Sequence, residues 1–138
     1  MTRTPPHAGS SLTTDESVHE FVSDLIGRAE EPRFWMLFLD AEQRIQRDIM
    51  PVGGIPDRPE PDDAERMVPM FCGCADALDA DAMILVLERR GPRAFSDADR
   101  EWARTLREGA ARADVDVRAM LLAHSGGVRW MAPDDYLF

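Results

Sequence analysis

The sequence contains no lysine. That excludes a phosphate-binding loop of the usual kind, which needs a lysine behind its glycines, and any lysine Schiff base. Histidine and cysteine are scarce as well. His7, His19 and His124 are scattered, and Cys72 and Cys74 stand one residue apart with no second cluster to complete a zinc site. The two cysteines read as small buried residues of a helix, because a redox role needs an exposed thiol of low pKa. Long apolar runs are missing too: Met83 to Leu87 is far too short to cross a bilayer. The first thirteen residues hold prolines, glycine and serines without an apolar core, so no secretory signal is read there and the expected compartment is the cytosol. No internal repeat is visible.

What is present is acid. The 26 carboxylate residues exceed the arginines enough for a net charge of -10, so sequence-independent nucleic-acid binding, which draws on cationic side chains, is disfavoured. A chain of 138 residues is the size of one domain and can bury a core without staples. Residues 1–13 are expected to be a flexible tail and 14–138 a single domain.

Thr14 reads as an N-cap ahead of Asp15 and Glu16, with Val18, Phe21, Val22, Leu25 and Ile26 on one helical face. Gly27 to Pro32 closes that helix. The apolar run Phe34 to Leu39 predicts a strand buried on both faces, and Ile45 to Val52 its hairpin partner. A glycine- and proline-rich loop from Gly53 to Pro61 precedes a second helix, from Asp62 or Asp63 to about Asp79. Pro69 is expected to kink or break it. Met83 to Leu87 is the next buried strand, and Glu88 to Phe95 a charged loop. Ser96 caps a third helix with Asp99 as the acidic partner of a capping box. Val115 to Leu122 and Val128 to Met131 form a closing hairpin around Ser125-Gly126-Gly127. The order implies an α/β (α+β) fold, a mixed sheet flanked by helices.

The run Phe34-Trp35-Met36-Leu37-Phe38-Leu39-Asp40, Ile45 and the Val52-Gly53-Gly54 exit resemble the opening hairpin of RadC-type members of the JAB/MPN metallopeptidase superfamily. The strand Ala82 to Leu87 and the helix led by Ser96 fall where that family has them, and the resemblance spans Phe34 to Met131. It implies a cytidine deaminase-like sandwich. In the catalytic members a His-x-His-Pro-Ser-Gly stretch and a following Ser-x-x-Asp bring two histidines and an aspartate to zinc, which activates a water. Here the Ser-x-x-Asp half stands as Ser96 and Asp99, but Glu88 and Arg90 take the places of the histidines. Arg89, Arg90 and Arg93 put positive charge where a cation would sit. The resemblance therefore implies a degenerate member that is not an enzyme and holds no metal or other cofactor.

The expected working surface is the old active-site rim: Glu88, Arg89, Arg90, Arg93, Ser96 and Asp99, with Trp102 beside them. Its guanidinium groups would suit a carboxylate or phosphate, so a protein partner or a small anionic ligand is expected. A solvated charged loop is the plainer account of the same residues. Homodimerisation is expected to draw on an exposed sheet edge and on Trp130, Met131 and Tyr136 to Phe138, although a core contact also accounts for Trp130. The enzyme alternative is a metal-dependent hydrolase built on oxygen ligands, with Glu88 and Asp99 around magnesium or manganese. Nucleic-acid binding rests on fold analogy alone. His124 reads as a turn histidine, Ser125 beside it makes no triad by sequence proximity, and paired acids such as Asp62/Asp63, Asp79/Asp81 and Asp134/Asp135 read as helix ends and turns.

Overall fold

The computed structural model of the chain describes residues 11–137, the Arg47 side chain excepted. Helix α1 (Asp15–Ile26) starts where Thr14 is extended and its Oγ1 accepts from the Ser17 N–H at 3.0 Å, while Ser17 Oγ accepts from the Thr14 N–H at 3.1 Å. Two otherwise orphaned amides are thereby satisfied. The helix ends at Gly27, whose φ of 70° suits a residue without Cβ.

Strand β1 (Arg33–Leu39) follows and pairs antiparallel with β2 (Ile45–Gly53) and with β3 (Ala82–Glu88). Strand β4 (Asp116–His124) lies parallel to β3, and β5 (Gly127–Trp130) closes antiparallel on β4. The five-stranded order is β2-β1-β3-β4-β5, with helices α2 (Asp63–Leu78) and α3 (Asp97–Arg112) in the crossovers. This is the mixed α/β sheet that the element order implies.

Alternation along β1 explains its unbroken apolar run. Phe34, Met36 and Phe38 enter a core shared with α2, α3 and the short α4 (Pro133–Tyr136), while Leu37 and Leu39 enter a second core under α1. Each such side chain contributes about 1.5–3 kcal/mol by leaving water, so both faces stabilise the central strands. Helices α2 and α3 approach closely at Gly109. A Cβ there would stand 3.1 Å from the Ala64 carbonyl oxygen and 3.2 Å from the Phe71 ring.

Several expectations change. Helix α2 runs unbroken through Pro69, which lies on its exposed side, where solvent can serve the carbonyl deprived of its N–H partner. Strand β4 starts one residue later than expected and extends to His124, because its pairing with β3 continues to the Glu88–Ala123 position. The expected tail is part of the fold at its inner end: Leu12 is buried and its N–H reaches the Gln43 carbonyl at 2.9 Å. Residues 1–10 lie outside the described residues. No helix among the described residues is long and apolar enough to cross a membrane.

Candidate functional site: a cleft at the carboxyl end of β3

The parallel pair β3–β4 ends beside the N-terminus of α3, a crevice of the kind that α/β sheets use for ligands. A cleft of about 710 Å³ opens there. Leu87, Ile55, Pro56, Ala98 and Trp102 give it an apolar floor, and Arg90, Arg58, Glu30 and Asp57 stand in its walls. The Trp102 indole N–H donates to the Pro56 and Asp57 carbonyls at 3.0 and 3.1 Å, which pins the Ile55–Arg58 wall to α3. Arg58 closes the rim on Glu101 at 2.7 Å.

Of the expected rim residues, Glu88, Arg89, Arg90, Ser96 and Asp99 line this cleft and Arg93 does not. Their duties differ. Glu88 is wholly buried. Its Oε1 accepts from Arg33 Nε at 2.5 Å and Trp35 Nε1 at 2.8 Å, and its Oε2 from the N–H groups of Glu30 and Glu31 at 2.7 and 3.3 Å. Burial by itself pushes this carboxyl up, yet the four donors together outweigh it and hold the group below the ordinary value of 4.5. Glu88 is thus an ionised internal clamp tying the α1–β1 loop to the end of β3.

Arg89 forms a forked ion pair with Asp99, Nε to Oδ1 at 3.0 Å and a terminal nitrogen to Oδ2 at 2.6 Å. The same guanidinium donates to the carbonyls of Pro92 and Ala94, holding the β3–α3 loop in place. Asp99 is the capping-box partner of Ser96, whose N–H it accepts at 2.9 Å and whose Oγ accepts the Asp99 N–H at 3.1 Å. Both carboxylate oxygens of Asp99 are therefore engaged, and a cation there would have to displace a guanidinium. Among the described residues no group of three or more His, Cys, Asp or Glu side chains is arranged to hold a metal ion. Zinc of the kind the resembled family uses does not fit these residues.

Arg90 donates Nε to the Glu30 carbonyl at 2.7 Å and is otherwise exposed at the cleft wall. Arg93 is exposed on the far side of the loop, where its carbonyl accepts from Arg129. Cys72 and Cys74 are half-buried and diverge: one thiol donates to the Ala113 carbonyl, the other faces Met50 Sδ at 3.4 Å. His124 is buried at the strand end and its Nδ1 accepts the Gly126 N–H at 3.1 Å, while Ser125 Oγ accepts from Gly91 N–H. Those bonds build a turn and no nucleophile–base pair. Of the residues expected at a dimer interface, Tyr136 and Met131 are buried within the fold, so they are core instead. Trp130 packs half-buried on the core under α1, Leu137 is exposed, and Phe138 lies outside the described residues.

Arg33, Trp35 and the Ile55–Arg58 segment were not among the expected site residues. The spacing of Arg33 and Trp35 puts them on one strand face, but nothing in sequence order shows that Glu88 is their neighbour. No family model matches the sequence, and no curated protein matches it.

Proposed function

We propose that this chain is a degenerate, metal-free JAB/MPN-like domain of RadC type that serves as a binding scaffold, with the cleft at the end of β3 as its working surface. The observation that carries this reading is the Arg89–Asp99 fork lying beneath an open cleft of about 710 Å³. The aspartate that would serve chemistry is spent on structure, while an apolar floor with a guanidinium beside it remains accessible. The ligand best suited combines an apolar group, seated on Leu87, Ile55 and Trp102, with a carboxylate facing Arg90. Such a group occurs in a small molecule or at the surface of a partner protein, and both use the same contacts. The two free thiols suit a cytosolic setting.

The test is an amide and indole NMR titration with 2-naphthoate as probe, accompanied by metal analysis after exposure to zinc, manganese and magnesium. The scaffold reading expects shifts gathered at Leu87, Arg90, Ala98 and the Trp102 indole, weakened several-fold by Arg90→Gln, and no stoichiometric metal. Probe shifts scattered elsewhere, or one metal per chain lost on Asp99→Ala, would overturn it.

A further inference from the structure

Across the β3–α3 loop from the cleft lies a second cluster that the binding scaffold does not use. Pro92 and Ala94 line the cleft, whereas Arg93, Phe95, His124 and Arg129 do not. Arg129, on β5, pairs opposite Leu122, and its guanidinium carbon lies over the Phe95 ring, 3.8 Å from the centroid. One terminal nitrogen donates to the Arg93 carbonyl at 3.1 Å, so the planar group is held at two points. Its Nε is buried and has no hydrogen-bond partner among the described residues, an expensive state for a charged donor.

The charges here are one-sided. No carboxylate among the described residues pairs with Arg93 or Arg129, although acids outnumber arginines 26 to 16 in the chain. The neighbouring Arg89 has spent its charge on Asp99. His124 adds a donor. Because its Nδ1 accepts the Gly126 N–H, the neutral ring must carry its proton on Nε2.

We propose that Arg93, Arg129 and His124 Nε2–H form a binding site for a tetrahedral oxyanion, the phosphate group of a small molecule or free phosphate. Arg129 stands against the backbone of Arg93 and lies two register positions from His124 on the neighbouring strand. A loop, β4 and β5 thus each bring one donor-bearing residue to the same neighbourhood, which suits a group with several oxygens better than a planar carboxylate, already satisfied by one forked guanidinium. The stack on Phe95 fixes the orientation of Arg129 in advance, which reduces the entropy lost on binding. A nucleic-acid backbone is the poorer candidate, because the net charge of -10 repels a polyanion while leaving room for one small anion in a local positive patch.

The site is linked to protons. Burial, and then the guanidiniums of Arg89 at the end of β3, Arg93 in the loop and Arg129 on β5, hold His124 below its ordinary value of 6.5. No carboxylate is among the groups that act on it. An anion seated between the guanidiniums and the ring would favour the imidazolium, so its binding must raise the His124 pKa, and its affinity must increase as pH falls.

The experiment is an NMR titration of the His124 ring from pH 8 to 5 at constant ionic strength, in chloride and with sulfate as a probe whose charge is constant over that range. The expected result is an upward shift of the His124 midpoint in sulfate, with amide changes at Arg93, Phe95 and Arg129 and none on α1, which packs on the opposite face. Arg129→Gln and the exposed, fold-neutral Arg93→Gln should each reduce the shift several-fold. Parallel arms with inorganic phosphate and phenyl phosphate assign the source: tighter binding of the ester points to a phosphorylated metabolite, and equal or weaker binding to free phosphate. A His124 midpoint identical in sulfate and chloride, or a shift that survives Arg93→Gln undiminished, would overturn the proposal. Neither result depends on the cleft, since 2-naphthoate and sulfate report on opposite sides of the loop.

Discussion

Replacing Glu88 by glutamine changes one atom of the side chain and should be among the costlier single substitutions in this protein. The carboxylate accepts two hydrogen bonds on each oxygen, from Arg33 and Trp35 on Oε1 and from two backbone N–H groups on Oε2. An amide offers one accepting oxygen and one donating NH₂. Whichever way it turns, the NH₂ meets two donors, so two of the four bonds are lost and two donors are forced together. The cheaper orientation gives up the Glu30 and Glu31 bonds, the latter already long at 3.3 Å. A hydrogen bond to a charged group is worth about 1.5–3 kcal/mol, and Arg33 keeps some access to water, so Glu88→Gln should cost about 3 kcal/mol. With an m-value of about 2 kcal/mol/M, the urea midpoint at pH 7 falls by about 1.5 M with the slope unchanged. Burial pushes this carboxyl up but the four donors prevail, so its folded pKa lies below the unfolded one. Its stabilisation is therefore complete above about pH 4.5 and fades as pH drops through the folded value. Glutamine does not titrate, so the gap between the two proteins should narrow in acid. Urea unfolding followed by tryptophan fluorescence from pH 7 downward checks both statements. A loss under about 0.5 kcal/mol at pH 7, or a gap that persists unchanged in acid, would refute the clamp.

Three further outcomes are expected. Arg89→Ala releases both Asp99 and the carbonyls of Pro92 and Ala94, so it should cost about 3 kcal/mol. Amide exchange across Gly91 to Phe95 should rise, and Arg89→Lys should recover only part because an ammonium cannot fork; unchanged exchange in that loop would contradict the assignment. Gly109→Ala gains about 1 kcal/mol of helix propensity but drives a Cβ toward the Ala64 carbonyl, and a net loss of about 1 kcal/mol by thermal unfolding is expected. A more stable variant would mean that α2 and α3 can part without penalty. His124, depressed by burial and then by three arginines, contributes stability that is full above about pH 6.5 and lost as pH falls through its folded value. The wild type should therefore weaken between pH 7.5 and 5.5 more steeply than His124→Asn, and parallel stability curves would refute this.

Much of the architecture follows from local pattern. Thr14 and Ser96 mark helix starts because a side-chain oxygen there satisfies amides that no helix can serve. The run Phe34 to Leu39 announces a strand with a core on each side, since alternate residues of an all-apolar strand leave no face for water. Asp99 is legible as a capping residue for the same local reason. Pro69 leaves a kink and a break both open in the sequence; α2 continues through it, because a proline's effect depends on whether its helix face meets solvent, and that is decided by packing.

The composition and order of residues by themselves determined the mixed α/β fold, the helix caps and the absence of histidines beside Asp99. The tertiary structure alone decided which charges are spent. Glu88, Arg89 and Arg93 look alike in sequence as members of one charged loop. Pairing of β1 with β3 brings Arg33 and Trp35 onto Glu88, and the α3 crossover sets Asp99 against Arg89. Those partners lie between 10 and 55 residues away in the chain. Arg93 pairs with no carboxylate among the described residues, and its backbone carbonyl instead receives the Arg129 guanidinium from the hairpin that ends the sheet. A charge is quenched or left available by what lies within a few ångströms of it, and sequence order does not encode that distance.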